Sequence, residues 1–301
     1  MLILALVRAW GRSIVVREMA ADQHPVPSRL IVFTDLDATL LDECYSWEPA
    51  RPALSRLKAG GHLVVLSSSK TLAEMKVLTQ ELGLNAPLVA ENGATLAFPE
   101  QSTLLEEDEA GQASDGFVVT TQGVPRTDIL RLTHRLRDEH NYRFEGFADW
   151  DAAEVMRRTG LNQIGAEQSL KRFGTEPIVW EDSDARWADF KRLISASNIK
   201  AVRGGRFIHL MGNADKATGL LDVTRRILEH SPSQIRYTIA LGDSPNDVGM
   251  LSAADIAIVI PNSHHDDVLE PSSNRVIRAS DYGPLGWNTE MNALLDELET
   301  T

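Results

Sequence analysis

Two rhythms of apolar and polar positions alternate along this chain. Residues 30–34 are a short apolar, β-branched run that ends abruptly in aspartate, which predicts a buried strand. Residues 49–58 then carry Leu54 and Leu57 on one helical face. "GGHLVVLSSSK" gives a turn, a buried strand over 62–66 and a Ser-rich loop. Residues 71–82 set Leu72, Met75, Leu78 and Leu82 at helical spacing, with Gly83 as the stop. "PLVAENG" predicts a third strand that ends at a polar turn. The alternation resumes late, with a helix over 214–230, a strand over 237–241, a short helix over 247–252, and strands over 256–260 and 275–278. Strand and helix in strict alternation predict an α/β fold with a doubly wound, mostly parallel sheet.

The middle of the chain breaks this rhythm. "QSTLLEEDEAGQASDG" is acidic and loop-like, "GFVVTTQG", "EPIVWED" and "RFIHLMG" predict strands of a more open sheet, and 129–139 and 185–195 predict amphipathic helices. Residues 98–211 are therefore expected to form an α+β module inserted into a core built from 29–97 and 212–301. Hinge strands are expected near Phe98 and Met211. Residues 1–28 are expected to be a poorly ordered or mis-assigned leader ending in a linker, with Met19 as an alternative start and a packed N-terminal helix as the second reading. The apolar run there is followed, not preceded, by Arg8 and Arg12, unlike a secretory signal, and is too short to span a bilayer.

The 301 residues suffice for two domains, and the net charge of −13 argues against nucleic acid or an anionic membrane as the main partner. A single cysteine, Cys44, forms no internal disulfide, which predicts a reducing cytoplasm as the location. Oligomeric state is not legible.

In a parallel sheet the loops at the carboxyl ends of the strands line the ligand crevice. Asp35 and Asp37 follow the first strand; Ser67, Ser68 and Lys70 the second; Asn92 and Gly93 the third; Asp243, Asn246 and Asp247 the fourth. Each residue alone suits a turn, but four strand ends delivering polar groups to one edge predict a site. Asp35, Asp37, Asp243 and Asp247 would repel one another in a shared pocket. A hard divalent cation relieves that, and oxygen-only ligands suit Mg²⁺. No His/Cys cluster favours zinc, and His264 and His265 read as solvated surface.

A carboxylate beside Mg²⁺ and a lysine is a nucleophile for phosphorus that needs no base. Asp37, two residues on, is placed to protonate the leaving alcohol and then deprotonate water. Ser67 offers a hydroxyl to the phosphoryl oxygens. Lys216, at a helix start, is the first choice for the fixed cation, with Lys70 in competition. Ser68, Lys70, Asn92, Gly93 and Asn246 are expected to reach substrate.

The quartet "DLDATL", "LSSSKT", "ADKATGL" and "GDSPND" resembles the four motifs of the haloacid dehalogenase-like (HAD) phosphatases over most of residues 30–280. The resemblance implies Asp35 as nucleophile and Asp37 as acid/base. It implies Mg²⁺ held by Asp35, Asp243 and the Asp37 carbonyl, with Asp247 alongside, and phosphate held by Ser67 and Lys216. Ala38 departs from the glycine usual there; a positive φ at that position would cost about 1 kcal/mol. The insert lies where Cof-like (type IIB cap) members carry their cap. "KRFGTEPIVWED" is similar to a segment of the mannosyl-3-phosphoglycerate phosphatases. This implies a small phosphorylated sugar-glycerate substrate, with Arg172 for its carboxylate and Glu176 and Asn92 for hydroxyls; Arg172 also reads as an exposed helix arginine. Other expectations within reach are phosphatase action on glucosyl-3-phosphoglycerate or another sugar phosphate, a phosphomutase, and a non-catalytic sensor. The intact acidic set speaks against the last.

Overall fold

The computed structural model describes residues 29–105, 111–203, 206–231, 235–263 and 269–300. The expected leader and the His264–His265 pair lie outside them.

The first unit alternates β1 (Arg29–Thr34), α1 (Arg51–Ala59), β2 (Leu63–Ser67), α2 (Leu72–Leu82) and β3 (Leu88–Ala90), then turns back through β4 (Thr95–Pro99), β5 (Gln112–Ser114) and β6 (Phe117–Thr121). The middle holds α3 (Arg126–His140), β7 (Phe144–Gly146), α4 (Ala152–Thr159), α5 (Gln163–Ser169), β8 (Thr175–Trp180), α6 (Asp184–Ser195), β9 (Lys200–Arg203) and β10 (Ile208–Met211). The chain returns with α7 (Lys216–His230), β11 (Ile235–Gly242), α8 (Val248–Ala253), β12 (Ile256–Val259), β13 (Arg275–Arg278) and α9 (Gly283–Glu299).

The large sheet has the order β13-β12-β11-β1-β2-β3-β4-β6-β5. The strands from β13 to β3 run parallel, and β4, β6 and β5 extend the edge antiparallel. Period-two alternation along β1 explains the two helical layers. Val32, with Leu66 and Ile239, packs toward Ala53, Leu57, Trp287 and Met291 of α1 and α9. Ile31 and Phe33, with Val65 and Ala240, pack toward Leu220, Val223, Met250 and Leu251 of α7 and α8. A strand buried on both faces reads as the continuous apolar run seen in the sequence.

The insert was expected to begin at residue 98. Instead the large sheet runs on to Thr121, with Thr95 paired to Thr121 and Pro99 to Phe117. Alternation in "GFVVTTQG" reveals a strand but not its neighbour, so the segment was assigned to the wrong sheet. The separate antiparallel sheet, β7-β8-β10-β9, spans only residues 144–211. The chain therefore leaves the large sheet at Gly123, not near Phe98, and returns to it at Gly212. A Cβ on Gly212 would lie 2.4 Å from the Val124 nitrogen, and Gly123 has φ +83°. The outgoing and returning segments thus touch at two glycines, one with no room for a side chain and one in a conformation that favours glycine.

The insert also docks away from this neck. Buried Glu91 accepts hydrogen bonds from Phe173 N (2.7 Å), Gly174 N (3.2 Å) and Thr175 Oγ1 (2.6 Å). Thr71 Oγ1 donates to the Gln168 carbonyl at 3.0 Å.

Candidate active site

Parallel pairing brings the ends of β1, β2, β3 and β11 to one edge. Thr34 lies beside Leu66 and Leu241, so Asp35, Ser67 and Gly242 follow at the same level. Thr34 is anchored from below by the buried Trp287, whose indole N–H donates to its Oγ1 at 3.0 Å. Residues 36–41 then fold into a tight turn, with Leu41 N on the Leu36 carbonyl at 2.8 Å. Ala38 sits in that turn at φ 58°, the left-handed conformation for which glycine is the usual residue.

Lys216 is the first residue of α7 and is 1% exposed. Its helix start is held by a capping box in which Asp215 accepts from Thr218 N at 2.8 Å. Gly93 packs underneath: a Cβ there would come 1.9 Å from the Asp215 carbonyl oxygen, and φ is +88°. Gly93 thus lets the third strand's turn seat the lysine, a packing role where substrate contact was expected.

The ammonium of Lys216 lies 2.5 Å from Asp35 Oδ1 and 2.6 Å from Asp247 Oδ1. Burial alone would lower the lysine's pKa, but the charges of Asp247 and Asp35 outweigh it and raise it. The other oxygen of Asp247 accepts from Asp243 N (3.2 Å), Ser244 N (3.0 Å) and Ser244 Oγ (2.9 Å). Asp247 thus orients Lys216 and fixes the backbone at Asp243 and Ser244. Asp243 accepts from Thr39 Oγ1 at 2.6 Å and from the Asn262 side-chain amide.

Burial raises the pKa of Asp35 well above the usual range. Lys216 opposes that rise, and Asp247 and Asp243 add to it. Asp243 is raised by burial and by Asp247, against its hydrogen bonds from Thr39 and Asn262. Asp35, Asp243 and Asp247 each offer an oxygen within 4.8 Å of the others. A cluster of buried carboxylates whose ionisation is penalised, with only oxygen donors, fits Mg²⁺.

Asp37 stands apart from this cluster. Its side chain is half exposed and pairs with Lys70 at 2.9 Å. Burial pulls the Lys70 pKa down, but the charge and hydrogen bond of Asp37 raise it overall. The two sit at the mouth, beside a groove of about 520 Å³ that Asp37 lines together with Ala38, Tyr45, Asn262 and Tyr282. Lys70 is thus the companion of Asp37, and Lys216 that of Asp35, which separates the two lysines that competed in the sequence. Ser67 Oγ is buried without a hydrogen-bond partner, a donor left over at the level of Asp35. Ser68 ties this loop to the next, its N donating to the Val89 carbonyl and its carbonyl accepting from Asn92 N. Asn92 Oδ1 accepts from Asn246 Nδ2 at 3.2 Å.

The insert residues fare differently. Glu176 Oε2 accepts from Arg126 Nε at 2.8 Å and lies 2.7 Å from Arg126 Nη2, while its Oε1 accepts from Ala148 N at 2.7 Å. It stands opposite Leu210, on the face of the small sheet that packs against helices. Glu176 is a buried structural anchor, not a group facing the cleft. Arg172 donates from Nη1 to Thr175 Oγ1 at 2.9 Å and lies 5.2 Å over the Phe147 ring, with Nε buried and unpartnered. Sequence reasoning assigned no role to Thr39, Ser244 or Asn262. Asn262 follows β12, so the strand-end rule applied to a fifth strand finds it. Cys44 is exposed and free.

The sequence model of a family described as haloacid dehalogenase-like hydrolase matches residues 32–114 and 181–274. The glucosyl-3-phosphoglycerate/mannosyl-3-phosphoglycerate phosphatase of Persephonella marina (strain DSM 14350 / EX-H1) is 32% identical over 275 residues, covering 90% of this chain and 98% of that protein. The crystal structure of TM0651 from Thermotoga maritima superposes with a TM-score of 0.61 at 17% identity, over 88% of this chain and 97% of that one. The HAD subclass IIB sugar phosphatase BT4131 superposes with a TM-score of 0.57 at 14% identity, over 88% and 98%.

Proposed function

Given that this chain belongs to the haloacid dehalogenase-like hydrolase family, and is a phosphoric monoester hydrolase resembling its Cof-like branch, we propose that it dephosphorylates a hexosyl-3-phosphoglycerate. The hexose is mannose or glucose, as in the name of the Persephonella marina relative. The observation that carries the chemistry is Lys216, buried between Asp35 and Asp247, with the unpartnered Ser67 hydroxyl at the same sheet edge.

In this reading Asp35 attacks phosphorus, the bond from phosphorus to the leaving oxygen breaks, and an aspartyl phosphate forms. Asp37 gives its proton to the leaving alkoxide, then takes one from the water that cleaves the acyl phosphate. Lys216 and Ser67 hold the phosphoryl oxygens and stabilise the charge that builds on them. Mg²⁺ held by Asp35 and Asp243, with the Asp37 carbonyl, would supply further charge neutralisation. Asp247 keeps Lys216 aimed, and Asn92 and Asn246 line the cleft under the insert. Among the described residues no helix is long and apolar enough to cross a membrane.

The test is phosphate release from mannosyl- and glucosyl-3-phosphoglycerate and from a panel of simple sugar phosphates, with and without Mg²⁺. The glycerate compounds should show the highest kcat/KM, turnover should require the metal, and Asp35→Asn should abolish it while circular dichroism stays native. Undiminished hydrolysis by Asp35→Asn, or a simple hexose phosphate ranking first, sinks the proposal.

A further inference from the structure

We infer that Lys200 recognises a second anionic group of the substrate, a carboxylate, in the cavity under the insert; this rests on the phosphatase reading above. Strand parity puts it there. Lys200 of β9 lies beside Met211 of β10, and Val202 beside His209. Directly paired residues project from the same face. Ile208 and Leu210 pack into the insert's own core with Ile178 and Phe190. Lys200, Val202 and Met211 therefore project from the opposite face of the small sheet.

These three line a cavity of about 220 Å³ whose other wall includes Asn92, Lys216 and Asn246. Lys200 is the one charged side chain that the described residues of the insert bring to this wall. It is half-buried, and no described side chain pairs with it. An ammonium that has lost part of its hydration and gained no counter-ion is poised for an anion from outside the protein. Lys216 is taken up by Asp35 and Asp247, and the one carboxylate in this lining, Asp215, is engaged as the helix cap by Thr218 N, so Lys200 is the cation left for a second negative charge. Arg172, expected from the sequence to take the carboxylate, is stacked over Phe147, bonded to Thr175 and absent from this wall.

The experiment compares glucosyl-3-phosphoglycerate, the same compound with its carboxylate reduced to an alcohol, and p-nitrophenyl phosphate, on wild-type enzyme and on Lys200→Met. Wild type should prefer the carboxylate over the alcohol. In Lys200→Met, kcat/KM for the carboxylate compound should fall about 10- to 100-fold, mainly through KM, as for loss of a hydrogen bond to a charged group. The other two substrates should stay within about twofold, as expected for a contact they do not make. Lys200→Arg should restore part of the preference. Equal losses on all three substrates, or an unchanged preference, overturn the role of Lys200 and leave the phosphatase reading standing. Wild-type enzyme inert toward all three removes both.

Discussion

Lys216 Nζ lies 2.5 Å from Asp35 Oδ1, closed off from solvent, and Asp247 holds the same ammonium from its other side. Removing one partner of a buried ionic cluster leaves uncompensated charge. Lys216→Met should therefore lower unfolding free energy by about 3–5 kcal/mol, measured by urea denaturation without metal. Activity should fall at least about 100-fold, the scale of losing one fixed transition-state charge. A variant as stable as wild type would show that Asp35 and Asp247 are not both ionised around the lysine.

If the cluster of Asp35, Asp243 and Asp247 holds a cation as proposed, stability should depend on the metal. Burial raises the pKa of Asp35 and of Asp243, so their ionised forms destabilise the metal-free fold and Mg²⁺ offsets the penalty. At 100 times its Kd the ion should contribute about 2.7 kcal/mol, or roughly 4 °C in Tm for a chain of this length. The sign follows from competition with protons: the gain should be largest at neutral pH and shrink as pH falls toward these raised pKa values. Differential scanning fluorimetry with Mg²⁺ and EDTA checks this, and Asp243→Asn should lose most of the gain.

Ala38 occupies φ 58° in the turn between the two motif aspartates. A non-glycine residue in this region carries about 1–2 kcal/mol of strain. Ala38→Gly should stabilise the protein by about 1 kcal/mol once the added freedom of the unfolded chain is subtracted. Chemical denaturation of the two proteins side by side reads the difference.

His209 is a pH-sensitive element of the insert. Its Nδ1 is buried without a partner, and burial, aided by Arg172, lowers its pKa to about 3. The folded form binds the proton more weakly than the unfolded one, so this contribution is complete above the unfolded value of about 6.5. It is lost as pH falls toward 3, by at most about 1.4 kcal/mol per unit. In His209→Asn the acid side of the stability profile should be shallower between pH 6 and 4, while the slope above pH 7 stays unchanged. Parallel profiles for the two proteins would refute the assignment.

The core was legible because strands buried on both faces write themselves as apolar runs. Polar residues after each run mark the carboxyl edge, which is how Asp35, Ser67 and Asp243 could be named together. Partner choice was less legible. Whether the strand at 117–121 joined the large sheet or a new one depended on pairing with Thr95–Pro99, which alternation does not encode. Glu176 was misread for a related reason. Its strand was recognisable, but which face it occupied depended on Arg126, fifty residues away, and on Leu210 opposite it. Asp37 was expected to point alongside Asp35, as on an extended segment. The turn at 36–41 ends the strand first and sends the Asp37 side chain outward to Lys70.

At Gly123 and Gly212 the two crossings between the sheets lie against each other. A module attached through adjoining threads is topologically a plug-in part: its length can change without rewiring the strands that carry Asp35 and Asp243.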